Sequence, residues 1–205
     1  MSERSAASGH PTTRPERLYF SGDAEADQLL ARDPLALLIG FTLDQQVTLQ
    51  KAFSGPLELR RRIGPYDARR LASMEPTELE AAFRTPPALH RFPANMAHRV
   101  QDLCAVLVRD YDGDASRIWT EASDAADLQG RLLALPGFGA MKAGTVMALL
   151  AKRFGLQLPG LVAALPQQPT LGDVDSYEAR DRYQAGKRAH KAALRAAQAE
   201  QSGRR

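Results

Sequence analysis

Apolar residues recur along most of the chain at the three- and four-residue spacing of a helix, and runs alternating at every second position are scarce. The clearest stretch is His98–Tyr111, where Val100, Leu103, Cys104, Leu107, Val108 and Tyr111 share one helical face. Asp33-Pro34 reads as an N-cap followed by proline at the first helical position. Leu35, Leu38, Ile39 and Thr42 continue at helical spacing, which predicts a helix running to about Gln45 or Gln46. Ser54-Gly55-Pro56 reads as a break, followed by a short basic helix, Leu57–Ile63, that stops at Gly64. A helical pair is predicted around Tyr66–Met74 and Pro76–Arg84, then a loop over Thr85–Pro93. Asp112-Gly113-Asp114 forms a turn, and Asp124 caps a helix in which Leu128, Leu132 and Leu135 share a face. Pro136-Gly137-Phe138-Gly139 interrupts it, and the periodicity resumes at Val146, Leu149, Leu150 and Phe154. Gly155–Gly172 holds prolines and favours no single element, whereas Ser176–Gln201 is helix-prone but frays into charge.

Composition supports the same reading. Aromatics are only 6% of the chain while Ala, Leu and Arg are plentiful, a balance that favours an all-α fold. At 205 residues the chain suits one domain, or two small lobes sharing a cleft. Residues 1–16 are polar and rich in Ser, Thr and Pro, so a disordered tail is expected before a helical domain spanning 17–185. Residues 186–205 form a basic C-terminal tail: six basic residues against Glu200 give +5, which leaves −2 on the rest of a chain whose total is +3. The body is therefore not broadly basic, and any affinity for nucleic acid must come from local geometry or from this tail. The single cysteine, Cys104, excludes an intrachain disulfide and any Cys-only zinc or iron–sulfur site. No apolar run approaches the roughly 20 residues of a membrane span, and no apolar signal core precedes residue 30, so a cytoplasmic protein without membrane contact is expected.

The most informative string is Leu135-Pro136-Gly137-Phe138-Gly139-Ala140-Met141-Lys142-Ala143. Two helices meet at a turn whose glycines permit positive φ and close approach of another backbone. The second helix starts at once, so its unpaired N–H groups and positive dipole end form an anion site made of main chain. A DNA phosphate fits such a site, and contacts of this kind position a duplex without reading its sequence.

The string resembles the DNA-binding hairpin of helix-hairpin-helix proteins. With two further segments, Leu37–Phe53 (LLIGFTLDQQVTLQKAF) and Arg91–Val108 (RFPANMAHRVQDLCAVLV), it resembles the HhH-GPD family of base-excision DNA glycosylases, in family order over roughly residues 30–155. The resemblance implies two helical lobes with an active site in the cleft between them, and a monomer that binds double-stranded DNA. It implies a reaction in which a base is extruded and its N-glycosidic bond cut. Gly137, Phe138, Gly139, Ala140 and Lys142 would contact DNA, together with Gln45 and Gln46; Gln46 falls on the glutamine that fills the gap left by the flipped base. Tyr66, Phe92 and Trp119 are candidate liners of the base pocket.

Family members with lyase activity carry a lysine where this chain has Met141, and Lys142 comes one residue later, about 100° around the helix. That predicts monofunctional hydrolysis without lyase activity, with Lys142 as a phosphate contact or a solvated charge. The catalytic aspartate then falls on Asp175, in Val174-Asp175-Ser176-Tyr177, with Asp173 as second choice and a helix cap as the alternative role for either. No iron–sulfur cluster or other cofactor is implied, although a monovalent cation at the hairpin carbonyls is compatible with the resemblance. Two other readings stay open: a non-catalytic helix-hairpin-helix protein that recognises DNA shape or damage, and a helical protein–protein adaptor with an incidental glycine corner.

Overall fold

The computed structural model describes residues 13–202, which are all-helical. In chain order the helices are α1 (Ala24–Arg32), α2 (Pro34–Leu43), α3 (Leu49–Ile63), α4 (Ala68–Ser73), α5 (Pro76–Arg84) and α6 (Pro93–Tyr111). There follow α7 (Arg117–Thr120), α8 (Ala125–Leu133), α9 (Ala140–Phe154), α10 (Leu161–Ala164), a 3-10 turn at Leu171–Asp173, and α11 (Tyr177–Ser202). No helix among the described residues is long and apolar enough to cross a membrane.

The caps fall where the sequence predicts them. Asp33 accepts from the N–H groups of Leu35 and Ala36, and Asp124 from that of Asp127. Helix α2 is apolar on every side, and residues 35–43 are all buried, so it forms the central rod against which α1, α3 and α6 pack. It ends at Leu43, with Asp44 as its C-cap, two to three residues short of the predicted end. Helices α4 and α5 lean on α6, and the 3-10 turn lies against α9. Buried side chains from Leu18 to Val174 form a contiguous core, in which Cys104 is fully enclosed.

Three expectations need correction. Ser54-Gly55-Pro56 does not break the chain: α3 runs unbroken from Leu49 to Ile63 with Pro56 inside it. Interior proline costs a helix about 3 kcal/mol, but Ala52, Phe53, Gly55, Pro56, Leu57 and Leu59 are buried together, and the apolar area they share outweighs that cost. Helix α6 begins at Pro93 rather than His98, because proline at the first helical position lacks only an N–H that would be unpaired anyway. Residues 1–12 lie outside the described residues, but Thr13 is docked rather than loose, its N–H donating to Phe154 O at 3.0 Å. At the other end the basic segment continues α11 as helix to Ser202, and residues 203–205 lie outside the described residues.

Candidate nucleic-acid interface

The hairpin joins α8 to α9. Leu135 and Phe138 are buried and anchor the turn from below, and the Phe138 N–H donates to Leu135 O at 3.1 Å. Gly137 holds φ +76°, the left-handed conformation that favours glycine. Gly139 does not: as N-cap of α9 it sits at φ −100°, which any residue adopts. No side chain caps α9, and Gly137, Gly139, Ala140 and Met141 are exposed. The first-turn N–H groups of a 15-residue helix therefore open to solvent beside the turn.

Space around the two glycines separates their roles. A Cβ on Gly137 would lie 3.5 Å from Gln45 Nε2 and 3.6 Å from Arg99 Nη1, whereas one on Gly139 meets nothing within 4 Å. Gly137→Ala should cost roughly 1–2 kcal/mol through the left-handed backbone, readable as a shift in urea midpoint. Gly139→Ala should leave stability unchanged within about 0.5 kcal/mol. If a phosphate approaches this turn closely, Gly139→Ala should nonetheless weaken duplex binding several-fold. Unchanged binding in both variants would remove the hairpin from the interface.

Against the hairpin lies the α2–α3 loop. Gln45 Oε1 accepts from Arg99 Nη1 at 2.5 Å, and Gln45 Nε2 donates to Thr42 O at 3.2 Å, so this glutamine is braced rather than free. His90, 1% exposed, locks the loop from behind. Its Nδ1 accepts the Phe92 N–H, which leaves Nε2–H to donate to Gln45 O at 2.8 Å. Burial lowers the His90 pKa despite the hydrogen bonds to backbone Gln45 and Leu43, in keeping with that neutral tautomer. Gln46 is exposed and holds φ +55°, a conformation that strains a non-glycine residue by about 1 kcal/mol or more. Of the two predicted glutamines, Gln46 is the one exposed to solvent and Gln45 the one that joins the loop to α6.

Lys142 departs most from expectation. It is no solvated charge: its Nζ is enclosed without a hydrogen-bond partner among the described residues, 5.1 Å from the centre of the Phe138 ring. Burial pushes its pKa down to about 8, with Asp44 opposing the shift and Arg99 adding to it. The 100° step works in its favour, since Met141 points outward, 79% exposed, while Lys142 borders the buried face of α9. Asp44 is the C-cap residue of α2. Burial raises the Asp44 pKa, and the charges of Lys187 of α11 and Lys142 oppose that shift. Tyr183 of α11 feels both Lys187 and Asp44, and Gln184 exchanges amide hydrogen bonds with Gln50, so α11 borders the same region.

The two predicted aspartates lie at the 3-10 turn and at the entry to α11. Asp173 closes a capping box with Thr170 and pairs with Lys152 at 2.6 Å. Burial alone would raise its pKa, but the hydrogen bonds from Lys152 and Thr170 outweigh that and hold it below the ordinary value. Asp175 is exposed at the entry to α11, with no hydrogen bond or ion pair among the described residues. Of the suggested pocket liners, Phe92 is 40% exposed with the Arg91 guanidinium 4.7 Å above its ring. Tyr66 is instead packed against the core and donates to Pro56 O, and Trp119 is buried. Trp119 lines a separate cavity of about 510 Å³ with Thr13, Arg32, Pro34 and Phe154.

No group of three or more His, Cys, Asp or Glu able to hold a metal occurs among the described residues. At the turn, Leu135 O and Gly139 O accept from the N–H groups of Phe138 and Ala143. Sequence reasoning missed Asp44, His90 and Arg99. Asp44 carried a signal, as the first charge after a wholly apolar helix, whereas nothing local marks the other two. Comparison with family models, with curated proteins and with solved structures returned no match.

Proposed function

We propose that this chain is a base-excision DNA repair protein of the HhH-GPD type: a monofunctional DNA glycosylase that flips a damaged or mismatched base and hydrolyses its N-glycosidic bond. The observation that carries the reading is the seam between the hairpin and the α2–α3 loop. There an open, uncapped helix N-terminus, suited to a phosphate, follows a turn whose Gly137 leaves just enough room for a Cβ 3.5 Å from Gln45 of the glutamine loop that precedes Gln46. The hairpin, loop and α6 segments that resemble the family in sequence meet at this point through Gln45 and Arg99. On this reading the two lobes share the cleft that the seam borders, and a monomeric cytoplasmic protein grips double-stranded DNA with Gly137–Ala140. Gln46 fills the vacated stack, and the exposed Asp175 carboxylate assists water.

The test is release of free base from duplexes each carrying one uracil, hypoxanthine, 8-oxoguanine or 7-methylguanine. Release from at least one duplex, falling roughly 100-fold in Asp175→Asn, supports the reading. Absence of release from all of them refutes it. A second reading, a non-catalytic DNA-binding protein, is favoured by one observation: Asp173 is consumed by Lys152 and Thr170, and Asp175 makes no hydrogen bond or ion pair among the described residues. That reading requires salt-dependent duplex binding without any chemistry.

A further inference from the structure

Lys142 is the one titratable group at the seam whose surroundings cannot be explained by folding. An ammonium carries three donors, and here the nitrogen is enclosed with none of them used. Leaving buried donors unsatisfied costs stability, and a lysine serving only solubility would extend its stem to water. The residue as a whole is half-buried, so its four-carbon stem can swing the amine from above Phe138 to the mouth of the hairpin. The charge of Asp44, at the end of α2, favours the protonated form of Lys142 and that of Arg99 on α6 opposes it, and Lys187 and Tyr183 of α11 couple electrostatically to Asp44 in turn.

We propose that Lys142 is the general acid of this site, protonating the departing base. The inference rests on the glycosylase reading and deepens it. As the C1′–N bond breaks, its electron pair goes to the base nitrogen, which takes a proton from the Lys142 ammonium. Water adds its oxygen to C1′ and gives up its proton to the Asp175 carboxylate. The products are free base and a sugar hydroxyl, and solvent returns the proton from Asp175 to Lys142. The substrate class follows from the chemistry. Neutral bases, such as uracil or hypoxanthine, leave as anions unless protonated and need this acid. A base that already carries a positive charge, such as 7-methylguanine, leaves neutral and does not.

The deciding variant is Lys142→Arg in the full chain, because arginine keeps the charge but does not release a proton at working pH. Under single-turnover conditions, Lys142→Arg should lose roughly 100-fold in release of uracil or hypoxanthine. The loss should shrink to a few-fold for 7-methylguanine, with duplex affinity and melting temperature retained. Asp44→Asn, which takes away an attraction that holds Lys142 charged, should shift the alkaline limb of the rate profile from near pH 8 to lower pH. Equal losses on charged and neutral bases would overturn the proposal, as would a wild-type rate in Lys142→Arg or a covalent DNA adduct trapped at Lys142 by borohydride. The first two leave the glycosylase reading standing, and the trapped adduct leaves base release standing while overturning its monofunctional form. Failure of the wild-type protein to release any base overturns both.

Discussion

Gly172→Ala is expected to lower the melting temperature by roughly 6–12 °C, corresponding to about 3 kcal/mol at 2–4 °C per kcal/mol for a chain of this size. Gly172 sits in the 3-10 turn that packs against α9. A Cβ there would lie 2.6 Å from the carbonyl oxygen of Ala148, 2.7 Å from its carbon and 2.9 Å from the Leu149 nitrogen. All three are main-chain atoms of a helix interior, so relief requires the turn to move bodily away from α9. The contrast is Gly55, where the nearest atom to an added Cβ is the tip of the Leu43 side chain at 2.4 Å. That methyl can rotate, and alanine gains about 1 kcal/mol of helix propensity over glycine, so Gly55→Ala should shift stability by no more than about 1 kcal/mol in either direction. Thermal melts of the two variants side by side check the claim. A Gly172→Ala protein as stable as wild type would mean that the turn does not lie against α9.

Asp27→Ala should cost about 3–5 kcal/mol. Asp27 is fully buried, and its carboxylate ties three parts of the chain together. Oδ1 accepts from the N–H groups of Phe20 and Ser21 at 3.1 and 2.8 Å and from Ser21 Oγ at 2.7 Å, while Oδ2 accepts from the Tyr177 hydroxyl at 3.1 Å. Removing it strands two buried main-chain donors and unhooks the start of α11 from the N-terminal segment. Asp27→Asn keeps the shape and one oxygen, and Tyr177 can turn from donor to acceptor, so about 1–2 kcal/mol is expected. Urea unfolding distinguishes these outcomes. A loss below 1 kcal/mol in the alanine variant would show that water replaces the carboxylate and that the strap is loose.

These two positions show what was legible in the chain and what was not. Local signals with a strong physical cause were readable: Asp33 and Asp124 as caps, Gly64 as a stop, and the buried face of α6 from Val100 to Tyr111. Where tertiary burial competes with propensity, local reading fails, as at Pro56, which the core retains inside α3. The 155–172 stretch was unreadable because its short elements are held by long-range packing against α9. For the site, the hairpin string carries its own geometry, but the inward turn of Lys142 depends on the phase of α9 against the core. That phase was partly visible, since Lys142 stands four, seven and eight residues before Val146, Leu149 and Leu150, all buried. Its place in a motif masks this, and the opposite charge that acts on that lysine, Asp44, is 98 positions earlier in the chain.

The bond between Tyr177 and Asp27, spanning 150 residues, has a consequence for synthesis. While the chain is being made, Asp27 Oδ2 gains its tyrosine only after Tyr177 has cleared the ribosome, and Tyr19 gains its edge-on neighbour at the same moment. The other holds on this segment come early, since Asp27 Oδ1 binds Phe20 and Ser21 locally and Phe20 packs on Phe53 of α3. The fastening of α11 onto the N-terminal segment is therefore among the last contacts that synthesis permits.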